Sequence, residues 1–139
     1  MNEIGPEHAA LRRVLVVEDD QAVRELAAVA LADVGGLQAL TCATGTEALE
    51  RGPGFGPDLL LLDLQLADID GPELLRAYRA KHGPATPPTV LLTGRPDLAE
   101  DTRSADPAII GVLAKPFEPM SLAERLRGMW QGWRDASRS

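Results

Sequence analysis

The sequence predicts an α/β protein built on a doubly wound, five-stranded parallel sheet with helices on both faces. Short apolar runs recur at residues 14–17, 59–62, 90–92 and 109–114, and none of them alternates apolar with polar positions. Unalternated runs of this length suit strands covered on both faces. Segments with helical spacing separate the runs, so strand and helix alternate five times, with right-handed crossovers expected. The chain has 139 residues, of which 45% are hydrophobic, and this fits one domain able to bury a core.

The elements follow in order. The first strand, 14–17, opens directly onto Glu18, Asp19 and Asp20. Residues 20–34 read as an amphipathic helix, because Val23, Leu26, Ala27, Ala30, Leu31 and Val34 recur at spacings of three and four. A weaker strand at 37–42 follows the Gly35-Gly36 break and carries Cys42 as a small buried residue. Thr44 with Glu47 forms a capping box that opens a short helix through Arg51. Residues 52–57, rich in glycine and proline, read as a loop. They lead from helix to strand, whereas a phosphate cradle needs the reverse turn with free backbone N–H groups. Pro72 sits in the first turn of a helix carrying Leu74, Leu75 and Tyr78, which His82-Gly83-Pro84 stops. Residues 97–104 form a weaker helix ended by Asp106-Pro107. In the last helix Leu122, Leu126, Met129, Trp130 and Trp133 make one stripe, but Gly128 and Gly132 weaken it, so fraying is expected after about residue 133. The two tryptophans suit packing onto the sheet or a contact surface for a partner or a second copy of the chain.

Composition narrows the function classes. Acidic residues outnumber basic ones 21 to 14, giving a net charge of −7 that disfavours direct nucleic-acid binding. One cysteine excludes an internal disulfide framework and a multi-thiol metal site. The apolar runs are too short to span a bilayer, and residues 1–13 lack the apolar stretch of a secretory signal. A cytoplasmic protein without membrane insertion is the expectation. His8 and His82 are isolated and expected to be solvent-exposed. Residues 68–71 do not form a calcium loop, since the first ligand position would be Leu66.

The residues just past each apolar run carry the chemistry. Glu18, Asp19 and Asp20 follow the first strand, Asp63 the third, Thr93 the fourth and Lys115 the fifth. In a parallel sheet all of them leave one edge and enter one crevice. Carboxylates crowded there repel, by roughly 4 kcal/mol for two charges about 4 Å apart at an effective dielectric near 20. A hard divalent cation such as Mg²⁺ relieves that repulsion through oxygen ligands. A carboxylate can also act as a nucleophile and form an aspartyl-phosphate, with Lys115 and Thr93 contacting phosphoryl oxygens.

The segments RVLVVEDDQAVRELA (13–27), PDLLLLDLQLADIDGPELL (57–75), TVLLTG (89–94) and VLAKPF (112–117) carry a resemblance. The chain resembles a response-regulator receiver domain, the phosphoacceptor module of bacterial two-component signalling. The intervals match as well: Asp19 to Asp63 is 44 residues, Asp63 to Thr93 is 30, and Thr93 to Lys115 is 22. The resemblance implies a flavodoxin-like strand order 2-1-3-4-5, with a receiver at 12–134, an N-terminal extension at 1–11 and a tail at 135–139. It implies that Asp63 is the phosphoacceptor, assisted by Thr93 and Lys115. Mg²⁺ would be held by Asp19, Asp63 and the Gln65 backbone carbonyl, with Glu18 acting through a water. Gln65 and Arg95 fall at positions that tune phosphoryl lifetime, and Arg95 is expected to shield or contact the phosphoryl group. The implied partners are a histidine kinase or histidine phosphotransfer protein and a downstream target, reached by a stand-alone receiver through a surface over the fourth helix, fifth strand and fifth helix. Two positions depart from the family pattern. Val112 stands where an aromatic switch is usual, and Ala67 where proline is common. A receiver-like binding module that is never phosphorylated is one alternative. A haloacid-dehalogenase-type phosphatase is the other, but its general acid would fall at Gln65, which cannot serve.

Overall fold

Every apolar run becomes a strand of one parallel sheet. In the computed structural model, which describes residues 10–137, the strands are β1 (Arg13–Val17), β2 (Gln38–Cys42), β3 (Leu59–Asp63), β4 (Thr89–Thr93) and β5 (Ile109–Ala114). Their spatial order is β2-β1-β3-β4-β5, and all four pairings are parallel. Strands β3 and β4 are buried at every position, which is why their sequences show no alternation. Each fully buried leucine of β3 contributes roughly 2 kcal/mol of apolar transfer.

Helices α1 (Gln21–Ala28), α2 (Gly45–Phe55), α3 (Gly71–His82), α4 (Glu100–Ala105) and α5 (Leu122–Ser137) cover the sheet. On one face Val14, Val16, Leu59, Leu61, Val90, Leu92 and Leu113 pack with Ala27 of α1, Leu31 just beyond it, and Leu122, Leu126 and Trp130 of α5. On the other, Leu15, Val17, Leu60, Leu62 and Leu91 meet Ala48 of α2 and Leu74, Leu75 and Tyr78 of α3. Leu11, one residue outside the span expected for the domain, is buried in the first cluster. Helix α4 contributes no buried residue, and a short 3₁₀ turn, Pro96–Leu98, precedes it. Among the described residues no helix is long and apolar enough to cross a membrane.

Four local expectations need correcting. The helix expected over 20–34 is α-helical only to Ala28 and continues as a π-helix over Val29–Val34. The wider turn brings Gly35 against α5, where any Cβ would collide with the Ala123 side chain. Helix α2 does not stop at Arg51 but runs through the glycine-rich stretch to Phe55, ending at Gly56 with φ 68°. Gly52 fits there because Leu15 and Tyr78 press on it. Pro53 has no N–H for the carbonyl of Leu49, and Lys81 Nζ of α3 bonds that carbonyl instead at 3.4 Å. Helix α5 does not fray at 133. Trp130 Nε1 donates to the Asp58 carbonyl at 3.0 Å, and Gln131 bonds Asp135 one turn on. His82 is half-buried, its ring 4.8 Å from that of Tyr78, rather than exposed. His8 lies outside the described residues. Cys42 is buried as expected, which pushes its thiol up to about 11.

Candidate functional site

The crevice forms where strand order reverses. Strand β1 lies between β2 and β3, so the connections leaving β1 and β3 diverge at their carboxyl ends. Val17 pairs with Leu62 in register, which sets Glu18 beside Asp63 as the two strands end. On the other side Thr93 pairs with Ala114, and the Lys115 N–H donates to the Thr93 carbonyl at 2.7 Å. Sheet register alone therefore gathers residues separated by nearly a hundred positions.

Lys115 ties the site together. Its Nζ lies 3.1 Å from Glu18 Oε1 and 3.2 Å from Asp63 Oδ2. The other oxygen of each carboxylate takes a backbone N–H, from Asp20 to Glu18 Oε2 at 2.9 Å and from Gln65 to Asp63 Oδ1 at 3.0 Å. Glu18 is fully buried and Asp63 nearly so, while Asp19 is exposed. Burial raises the proton affinity of Glu18, against the Asp20 N–H and the Lys115 ammonium, which favour its charged form. Burial alone would lower the pKa of Lys115, but the hydrogen bond to Glu18 and the charge of Asp63 outweigh it and the net shift is upward. Thr93 is nearly buried, and its Oγ1 accepts from the Arg95 N–H at 3.0 Å, leaving the hydroxyl proton to be donated.

The acidic residues fit a hard divalent cation. One carboxylate oxygen from each of Glu18, Asp19 and Asp63 lies within 4.8 Å of the others. Such an all-oxygen donor set at that spacing is the chemistry Mg²⁺ takes. Three carboxylates against one ammonium leave a formal charge of −2, which a divalent ion balances.

Two other expected residues, Arg95 and Val112, direct their side chains elsewhere. The Arg95 guanidinium turns to Asp97, at 3.3 and 3.2 Å, and both side chains are exposed. Val112 is half-buried and packs against the core on the α2–α3 face. Gln65 is exposed, and its main chain bridges to Asp70. Two residues went unread in the sequence. Arg24 Nη1 donates to the carbonyls of Glu18 at 2.9 Å and Asp19 at 3.3 Å. Its position four after Asp20, one helical turn above the acidic run, was the available signal. The Asp68 carboxylate accepts the N–H groups of Gly45 and Thr46 at 3.0 and 3.1 Å, tying the loop after Asp63 to the start of α2.

The family model for the response regulator receiver domain matches residues 14–127, most of the chain. The chain belongs to the response-regulator receiver family. Among curated relatives of this receiver, the transcriptional regulatory protein TrcR of Mycobacterium tuberculosis is 34% identical over 117 residues, covering 84% of this chain and 44% of that protein. The DNA-binding response regulator MtrA of Mycobacterium leprae is 33% identical over 116 residues, covering 84% of this chain and 50% of that protein. The receiver chain thus spans about half the length of the curated relatives it matches. Among solved structures, the chemotaxis response regulator CheY4 of Vibrio cholerae superposes with a TM-score of 0.73 at 26% identity, over 86% of this chain and 98% of that one. A CheY-like receiver domain from Methanospirillum hungatei gives 0.75 at 26% identity, over 91% and 99%. Receiver domains are phosphoacceptors of two-component signalling that typically bind Mg²⁺ in an acidic pocket, and Glu18, Asp19 and Asp63 form such a cluster here.

Proposed function

We propose that Asp63 accepts a phosphoryl group from a phosphohistidine on a histidine kinase or histidine phosphotransfer protein, and that a protein partner reads the change. The observation that carries this is the Asp63 carboxylate, held at the end of β3 by Lys115 Nζ at 3.2 Å and the Gln65 N–H at 3.0 Å. A lone pair on an Asp63 carboxylate oxygen attacks phosphorus, the P–N bond breaks, and the histidine nitrogen keeps its electron pair. Lys115 and the Thr93 hydroxyl hold the transferred oxygens. Asp19, Asp63 and the Gln65 carbonyl would hold Mg²⁺, with Glu18 behind a water. Bound there, the ion would neutralise charge on the phosphoryl oxygens. Arg95 reaches the phosphoryl group only by leaving Asp97, and with Gln65 it would tune phosphoryl lifetime.

Intact mass after incubation with acetyl phosphate and Mg²⁺ tests this reading, with Asp63→Asn in parallel. The expected result is one added phosphoryl group in the native chain alone. An adduct on both, or no adduct together with no release of inorganic phosphate, would overturn it, and the latter would favour a silent binding module. Turnover of small phosphate esters would indicate the phosphatase, which Gln65 opposes.

Direct protein contact is the first reading for output, supported by CheY-like neighbours that this chain covers almost completely. With Val112 in place of an aromatic, that output does not run through an aromatic rotamer. Transcriptional output is the second, supported by the DNA-binding and transcriptional names of MtrA and TrcR.

A further inference from the structure

The three carboxylates of the site are not restrained alike. Glu18 is held by Lys115 and the Asp20 N–H, and Asp63 by Lys115 and the Gln65 N–H. The Asp19 carboxylate is exposed and accepts no hydrogen bond from a described residue, yet one of its oxygens lies within 4.8 Å of the other two. Its direction is therefore set by its backbone. Two peptide planes flank the Asp19 Cα, and the carbonyl of each is held by a single nitrogen, Arg24 Nη1, at 2.9 and 3.3 Å. Arg24 is itself anchored, because its N–H closes the first turn of α1 on the Asp20 carbonyl at 2.9 Å, and its side chain is half-buried. Its charge also reaches Glu47 and Cys42, so the guanidinium spans from α1 toward the turn between β2 and α2.

We infer that Arg24 is a positioning residue for cation binding: by pinning both peptide planes around Asp19 it presents the Asp19 carboxylate to a cation shared with Asp63. Without it the Glu18–Asp19 plane can rotate and swing Asp19 toward solvent, while the Asp19–Asp20 plane keeps its Asp20 N–H on Glu18 Oε2 and Glu18 and Asp63 stay where Lys115 holds them. A residue that merely stabilised α1 would act equally on metal-free and metal-bound protein. A positioning residue lowers affinity for the ion. The inference rests on the phosphoacceptor reading of the site and adds to it a determinant of cation affinity that is not itself one of the expected ligands.

The test compares native protein, Arg24→Met and Arg24→Lys. Melting temperature is followed in EDTA and across a MgCl₂ titration, and Mn²⁺ binding is read independently by water-proton relaxation. Arg24→Met should weaken both ions about tenfold, as expected for losing a charge-assisted restraint. The rise in melting temperature at a fixed, sub-saturating Mg²⁺ concentration should shrink accordingly. Arg24→Lys, which keeps a charged donor on a shorter head group, should lose only about threefold. Labelling of Arg24→Met by acetyl phosphate should lag at limiting Mg²⁺ and recover at saturation. Native-like ion affinity in Arg24→Met, or equal falls in melting temperature with and without Mg²⁺, would overturn the inference. If Arg24→Met does not fold, Arg24→Lys decides alone, and unchanged affinity there overturns it. A native chain that binds neither ion removes the phosphoacceptor reading and this inference together, a failure visible before any variant is compared.

Discussion

Lys115 stands between two buried carboxylates, and its removal would leave Glu18 fully buried with only the Asp20 N–H for support. Breaking a buried pair on one side costs about 3 kcal/mol, because the partner charge stays behind. Lys115→Met should therefore lose about that much in urea unfolding in EDTA, and Mg²⁺ should restore part of it. Asp63→Asn removes a repelling charge instead and should stabilise the metal-free protein by about 1 kcal/mol. A second pair titrates. Burial opposes the ionised form of Asp106, but the Arg79 hydrogen bond and the Ala108 N–H overcome it and hold its carboxyl below the usual value. A depressed carboxyl contributes stability above its unfolded pKa and loses it as pH falls through the folded one. With the Arg79 side chain 39% exposed the pair is partly screened, so Arg79→Met should cost about 0.5 kcal/mol at pH 7, a cost that disappears as acid protonates the Asp106 carboxyl. The acidic and basic residues of the crevice were legible because each directly follows an apolar run and the strands are parallel. Arg95 was legible in position but not in direction, because an exposed guanidinium turns to the nearest acid, here Asp97. Arg24 stayed hidden because its spacing from Asp20 suggests only a side-chain pair along the helix, whereas it acts on the Glu18 and Asp19 carbonyls.

Glycine marks both what the sequence reveals about an element and what it conceals. Gly128 and Gly132 read as helix weakeners and Gly52 as the start of a loop, and their surroundings differ. A Cβ at Gly52 would sit 2.8 Å from Leu15 Cδ2 and 3.0 Å from a Tyr78 ring carbon, whereas at Gly128 nothing lies within 4 Å. Gly52→Ala should thus be destabilising by about 1–2 kcal/mol, overpacking exceeding the propensity gain. Gly128→Ala should stabilise by about 0.5–1 kcal/mol, with thermal unfolding of the two variants reading the opposite signs. The same contrast explains why α2 and α5 outran their expected ends. Propensity argued for stopping, while tertiary contacts from Tyr78, Lys81 and Asp58 held the turns. The π-helical segment after α1 was equally illegible, because its apolar stripe keeps helical spacing and only Gly35 packed on Ala123 distinguishes it.

Across the whole molecule, the sheet separates the site from the tryptophans. Trp130 bonds the Asp58 carbonyl at the entry to β3, and Asp63 ends that strand, so five residues of extended chain put roughly 16 Å between them. Strand order and parallel pairing set this separation, and both follow from the alternation of elements that the sequence displays. Trp130 is buried between α5, which carries it, and the sheet, with Arg134 5.1 Å from its ring centroid, and so reports the docking of α5 rather than the crevice. Mg²⁺ bound among Glu18, Asp19 and Asp63 should stabilise the entire domain, since it binds only where the folded sheet brings those residues together. At a hundred times its dissociation constant the gain is about 2.7 kcal/mol, or about 8 °C in melting temperature. Native-state tryptophan emission should stay unchanged over the same titration, while the unfolding midpoint followed by that emission moves upward. A change in native emission that saturates with Mg²⁺ would instead mean that the ion repositions α5, coupling the two ends of the sheet through the core that Leu113 and Leu126 share.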